Sequence, residues 1–270
     1  MFTYLAHASP LHRLNPAAKL VGLAIIAAGA TLAFDPFVPG MLALGLVLTA
    51  WWVGRIPWRQ MLRWSVPLLL FPLPLVVFTA LYADLSRYPQ PHILWRWGPW
   101  VVAAEGLRGA IGLGLRVVTF MATSLLFVST TDPTDFALSL IQNLKVPYRF
   151  GYGVLVSYRF LPLLRREYET IRMAHRVRGF AEGRGLRGLL ARTRRYAIPL
   201  LAAAIRKSER TALAMDAKAF GAGPERTYYR QMWLTWRDAL FVLILTGYTA
   251  LVYWMALHFG LADLQWIPHV

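Results

Sequence analysis

The sequence predicts an all-α integral membrane protein of about five transmembrane helices, with a cytoplasmic domain of one short and two long helices. Three observations carry this. The chain is 57% hydrophobic with only 16% charged residues over 270 positions, and its mean hydropathy is +0.45. Its apolar residues gather into runs near the length needed to cross a bilayer. Its charge is segregated: of a net +16, the block Lys145–Arg237 holds 20 Lys or Arg against 6 Asp or Glu, a net +14. That block sits between apolar runs, so the positive-inside rule accounts for it as a cytoplasmic segment. Nucleic-acid binding is the other meaning of such charge, and spans on both sides argue against it. Anionic headgroups would add to the placement of the block against a lipid bilayer.

The spans follow in order. The approach LHRLNPAAKL offers Asn15 as a helix cap and Pro16 at the first helical position. The first span is Ala17 to Phe34; the opening lacks the layout of a cleavable signal, so this span is read as retained. Asp35-Pro36 breaks it, and Phe37 to Val53 returns. The next loop carries Arg55, Arg59 and Arg63, while the Asp35-Pro36 turn carries no base, which places the N-terminus inside. The third span, Trp64 to Ala83, holds Pro67, Pro72 and Pro74. Its freed carbonyls need covering, so it is expected to pack inside the protein. Asp84 to Trp100 reads as an outer loop whose Trp95, Trp97 and Trp100 suit a membrane interface. The fourth span, Gly106 to Ser129, has glycines at 106, 109, 112 and 114, a spacing that lets another helix approach closely. Arg116 lies deep in it, either paired inside the bundle or touching a membrane partner.

Residues 1–129 thus form four spans, and 130–236 a cytoplasmic domain inserted before the last one. Asp132-Pro133-Thr134 is a helix start, and a short amphipathic helix runs to Asn143. After Val146-Pro147, a long helix covers Tyr148 to Phe180. The Gly-rich link AEGRGLRG leads into a second long stretch ending at Gly221, with Pro199 near its start. Ile198, Leu201, Ile205, Ala212 and Met215 recur on that stretch in helical steps and make a coiled-coil-like seam. Residues 237–270 supply the fifth span, Ala239 to Leu261, and a tail without bases, which puts the C-terminus outside.

No chemistry assembles. Asp132 and Asp135 are explained as a cap and a first-turn acid. The six His are scattered without ligand spacing, the absence of Cys removes thiolate metal sites, and no phosphate-binding Gly-x-x-x-x-Gly-Lys-Ser/Thr occurs. The chain is expected to bind no metal and no cofactor, and to catalyse nothing itself. What stands out is a repeated ending: Val177-Arg178-Gly179-Phe180 and Ala217-Lys218-Ala219-Phe220. A base at a helix C-terminus is favoured by the macrodipole. The same ends also suit docking in a partner's groove, with small residues permitting approach, Phe filling a pocket and the base meeting an acidic wall. Both readings stand on the residues alone.

Taken together, these motifs resemble the transmembrane T component of energy-coupling factor (ECF) transporters, the EcfT/CbiQ-type family. The likeness rests on Leu14, Pro16 and Lys19, on Thr130 to Pro133, on Tyr158 to Pro162, and on the two basic endings, and it covers most of the chain. It implies a prokaryotic cell-membrane subunit that links two cytoplasmic ABC-type ATPases to a membrane-embedded substrate-binding S component, for uptake of a vitamin or other micronutrient, and it makes 130–236 a cytoplasmic coupling domain of one short and two long crossed helices. ATP and Mg would then be bound on the partner ATPases. The Ala-Arg-Gly motifs of that family fall on Val177, Arg178 and Gly179 and on Ala217, Lys218 and Ala219. Lys218 keeps the charge of the usual Arg without its planar fork. A conventional ABC permease is the alternative, although it would use one short coupling loop rather than ninety basic residues. A membrane enzyme or channel would need polar residues converging in the spans, where only Arg116, Thr119, Thr123 and Ser124 stand out.

Overall fold

The computed structural model describes residues 9–33, 35–54, 66, 69–83, 92–97, 100–179, 185–223 and 227–260. Its helices are α1 (Pro16–Leu32), α2 (Phe37–Trp52), α3 (Pro72–Leu81), α4 (Ala104–Thr130), α5 (Pro133–Gln142), α6 (Tyr148–Val177), α7 (Gly185–Asp216) and α8 (Trp236–His258). A 3-10 turn, Pro10–Arg13, precedes α1. The strands β1 (Ile93–Trp97) and β2 (Trp100–Ala103) pair antiparallel before α4. The chain divides into two compact units: residues 1–139 with 232–270, and residues 140–231. The loop bases Arg55, Arg59 and Arg63, Pro67, Phe180 and the tail beyond Gly260 lie outside the described residues.

The first unit is a helix bundle. Leu23, Ile26 and Ala30 of α1, Val38, Leu42 and Leu46 of α2, Leu126 of α4, and Leu245, Val252 and Ala256 of α8 form one buried cluster. Two of its helices, α4 with 27 residues and α8 with 23, are long and apolar enough to cross a membrane; α1, α2 and α3 are shorter apolar helices. Hydroxyls bind the bundle internally, as expected where no water competes. Tyr253 donates to the Gly29 carbonyl at 2.6 Å, Tyr248 donates to the carbonyl of Met41, and Thr119 donates to that of Pro39 at 2.9 Å. Arg116 reaches the end of α1, where its guanidinium donates to the Ala33 carbonyl. Beside it, Asp35 accepts the Val38 N–H at 2.8 Å and starts α2. Of the two roles open to Arg116, the geometry supports the internal one.

Two expectations need correction. The proline-rich third span is peripheral rather than internal. Proline at the start of α3 needs no covering, because the first-turn N–H groups of a helix are unpaired anyway. Only Pro72 and Ala80 are buried, whereas Phe71, Leu73, Val77, Phe78 and Tyr82 stay exposed. This helix leans on α4, where the glycine spacing permits close approach: a Cβ at Gly106 would meet the Ala83 Cβ at 2.7 Å, and one at Gly114 would strike Val76. Gly109 faces open space. The second correction is the outer loop, part of which is a β-hairpin with Trp97 opposite Trp100. Its Ile, Trp and Val residues have the β-branched and aromatic character that strands favour.

At one end of this unit four elements meet in a buried polar knot. Asn15 caps α1 by accepting the Ala17 N–H at 3.0 Å. The same Asn15 oxygen accepts from the Ser139 hydroxyl at 2.8 Å, and the Asn15 N–H donates to Asp238 Oδ1 at 2.7 Å. Asp238 Oδ2 accepts from both the N–H and the hydroxyl of Thr235, each at 2.7 Å, closing a capping box at the start of α8. Lys19, 2% exposed, donates to the Thr130 carbonyl at 2.8 Å and feels the charges of Asp238 and Asp135. A buried ammonium is tolerable only with such company.

Candidate partner-docking surface

The second unit is built on α6, with 30 residues, and α7, with 32. The helix α7 begins at Gly185, inside the segment expected to be a link. The two helices run antiparallel. Tyr196 of α7, one of the few buried residues here, meets Tyr168 edge-on with ring centroids 5.7 Å apart and His175 at 5.5 Å. At the other end, Phe220 packs edge-on against Tyr148 at 5.7 Å and Tyr152 at 5.8 Å. Each helix carries an internal proline, Pro162 and Pro199, which removes one rung of its hydrogen-bond ladder.

The two basic endings have one local geometry. Helix α6 stops because Gly179 turns left-handed, φ 75°, with its N–H donating to the Arg176 carbonyl at 3.0 Å. Helix α7 stops because Ala219 does the same, φ 56°. Ala219 donates to Asp216 at 2.9 Å and Phe220 donates to Met215 at 3.0 Å, the paired bonds of a Schellman cap. In each ending the base stands one residue before the left-handed position. Glycine after the base thus serves helix termination at Gly179 whatever partner is present, whereas Ala219 takes the same turn at a cost in backbone strain. That Ala219 ends its helix is the part the sequence does not announce.

Exposure distinguishes the members. Val177 is 90% exposed, and Arg178, Gly179, Ala217, Lys218 and Ala219 are exposed too. Phe220 is half-buried: the left-handed turn at Ala219 brings it against the first turns of α6, where it packs edge-on between Tyr148 and Tyr152. The segment after it is strapped to the first turn of α6 by the Arg149 guanidinium, which donates to the Gly221 carbonyl at 2.9 Å, and by the Tyr148 hydroxyl, which donates to that of Gly223 at 3.1 Å. The sequence reading had given Tyr148, Arg149 and Tyr152 no role; their place just after Pro147, at a helix start, was the available signal.

These contacts fix a separation. Lys218 sits by the first turns of α6 and Arg178 just past its last residue. A straight 30-residue helix spans roughly 45 Å. The two bases therefore occupy opposite ends of one helix and cannot enter a single groove.

The spacing of Ile198, Leu201 and Ile205 marks a bare stripe, not an internal seam. Ile198 is 62% exposed, Leu201 63% and Ile205 49%, because α7 meets α6 through Tyr196 instead. Ala212 is exposed and Met215 half-buried. A matching stripe runs along α6 through Phe150, Val154, Tyr158 and Leu161, all exposed. Its steps of four, four and three were present in the sequence and went unread. Among the described residues, no group of three or more His, Cys, Asp or Glu could hold a metal ion.

Comparison with known proteins now decides the family. The family model CbiQ, described as cobalt transport protein, matches residues 7–229. The chain belongs to this family. It is 29% identical over 255 residues to the energy-coupling factor transporter transmembrane protein EcfT of Heliobacterium modesticaldum, covering 90% of this chain and 92% of that protein. The Bacillus subtilis EcfT is 26% identical over 264 residues, 93% and 96% covered, and that of Thermotoga maritima 27% identical over 263, 92% and 91% covered. The resemblance read from the motifs thus agrees with the CbiQ/EcfT membership found over nearly the whole chain.

Proposed function

We propose that this chain is the energy-coupling transmembrane subunit of an ECF-type importer. It docks two cytoplasmic ABC-type ATPases through the endings at Val177–Phe180 and Ala217–Phe220, the second presenting Ala217, Lys218 and Ala219 while Phe220 anchors it to α6. ATP and Mg are bound and used on those partners, and this chain supplies no catalytic group. The bare stripes on α6 and α7 receive a membrane-embedded S component that selects a vitamin or other micronutrient. The observation that carries the reading is the separation of Arg178 and Lys218 to opposite ends of α6. Two separated cationic ends suit two ATPases, where one coupling loop would suit one.

The mechanism is mechanical. Each base is held by a helix cap, so force on it is borne by backbone hydrogen bonds rather than by a free side chain. ATP-driven closure of the ATPase pair draws the two ends together, and α6 and α7, joined through Tyr196 and Phe220, change their mutual angle. The stripes move with them and tilt the bound S component. The N-terminus and coupling domain are cytoplasmic and the C-terminus is outside, in keeping with the basic residues of 145–237. The test is the double substitution Arg178→Glu with Lys218→Glu, read by co-purification of the ATPases from membranes co-expressing the transporter. ATPase association should be lost while the S component is retained. A complex that still assembles and transports normally would overturn the docking assignment.

A further inference from the structure

A cleft of about 840 Å³ opens in the first unit between the 3-10 turn, the last turn of α2 and the first turns of α8. Its polar rim is Arg13 and Arg237, and its wall is Val53, Leu240, Phe241 and Ile244. Both arginines are exposed. Among the described residues that line it there is no carboxylate, since Asp238 is turned into the buried knot, where Asn15 and Thr235 hold it. Exposed tryptophans surround this level of the bundle: Trp51 and Trp52 on α2, and Trp233 and Trp236 at the start of α8. The Arg237 guanidinium lies over the Trp236 ring, 5.8 Å from its centroid. A ring of tryptophan at the end of apolar helices marks the headgroup level of a bilayer.

We propose that this cleft is a binding site for one anionic phospholipid. The phosphate sits between Arg13 and Arg237, and an acyl chain lies along Leu240 and Ile244, which face outward at 44% and 56% exposure. Two cations beside an apolar wall match a molecule with an anionic head and a hydrocarbon tail. A free phosphate would leave the wall bare, and a zwitterionic lipid would bring a second cation against the arginines. The site is separate from the ATPase-docking endings and the S-component stripes, so its test does not depend on them.

The full-length chain is purified in mild detergent, equilibrated with equal phosphatidylglycerol and phosphatidylcholine, and examined by native mass spectrometry. One retained phosphatidylglycerol per chain is expected. The variant Arg13→Gln with Arg237→Gln should lower the retained ratio of phosphatidylglycerol to phosphatidylcholine about twenty-five-fold, as two bases each contributing roughly fivefold. Arg159→Gln with Arg165→Gln, which removes the same charge from α6, should leave it unchanged. A second measurement needs no variant: phosphatidylglycerol carrying a photoreactive acyl chain should label α8 near Leu240 and Ile244 in the wild-type protein. Equal retention of the two lipids, equal loss in both variants, labelling elsewhere, or displacement of the lipid by inorganic phosphate would each overturn the assignment.

Discussion

Ala219 holds a backbone conformation that L-residues other than glycine avoid, φ 56°, at the position where Gly179 ends the other long helix with φ 75°. The substitution Ala219→Gly isolates that strain. A left-handed conformation costs an ordinary residue about 1–2 kcal/mol. Glycine returns about 0.4–1 kcal/mol of this through the greater freedom of the unfolded chain. The net gain in local stability is about 0.5–1 kcal/mol, or roughly two- to fivefold in an opening equilibrium. The assay is hydrogen exchange on the intact chain, following the amides of residues 219 and 220, whose bonds to Asp216 and Met215 form the cap. Their protection, corrected for intrinsic rates, should rise two- to fivefold. The reciprocal change Gly179→Ala meets no atom within 4 Å, so backbone strain alone acts there, and protection of the Gly179 position should fall by a similar factor. Unchanged protection in Ala219→Gly, or the same sign in both variants, would refute the argument that the small residue is there to end the helix.

Further outcomes follow from the same geometry. Phe220→Ala removes a ring packed against both Tyr148 and Tyr152 and should cost about 1–2 kcal/mol, seen as faster proteolysis between residues 217 and 231 without loss of α8 insertion. Asp238→Ala leaves the Asn15 and Thr235 donors unpaired and the buried Lys19 with Asp135 as its one remaining carboxylate, and should cost about 3 kcal/mol, measured as a lower thermal midpoint in detergent. Leu201→Arg with Ile205→Arg changes residues exposed in the isolated chain, so the fold should persist with an unaltered midpoint. Co-purification of the S component should then fall while the ATPases remain bound.

The parts of the fold that local chemistry dictates were legible. Asn15, Asp35 and Asp132 were readable as caps or breaks, and the last of these accepts the Thr134 N–H at 2.7 Å. Span ends at Gly106–Ser129 and Ala239–Leu261 fell within a few residues of α4 and α8, because long apolar runs leave little choice. What escaped were features fixed by residues far apart in the chain. Asp238 looks like an ordinary first-turn acid, and only the return of α8 beside Asn15 makes it the centre of a knot. The stripe at Ile198 and Leu201 has the period of a seam, and period alone does not say whether a seam is filled. Tyr196 decides that by taking the contact with α6 itself. The hairpin went unread because a tryptophan-rich segment between spans suits an interface equally well as loop or strand. The basic endings were found, and the reason for their small residues was not, since a left-handed backbone leaves no mark when the residue is alanine.

The knot also imposes an order on synthesis. Lys19 enters the membrane with the first helix, yet the carboxylate of Asp238 that balances it is made 219 residues later. At about 5–20 residues per second, that is roughly ten to forty-five seconds during which an ammonium waits near the bilayer edge. The Thr130 carbonyl and Asp135 arrive midway and give it a hydrogen bond and one opposite charge. A nascent chain therefore holds only one of the two carboxylates that balance this ammonium until its last helix arrives, and one cut short before residue 238 never closes the knot.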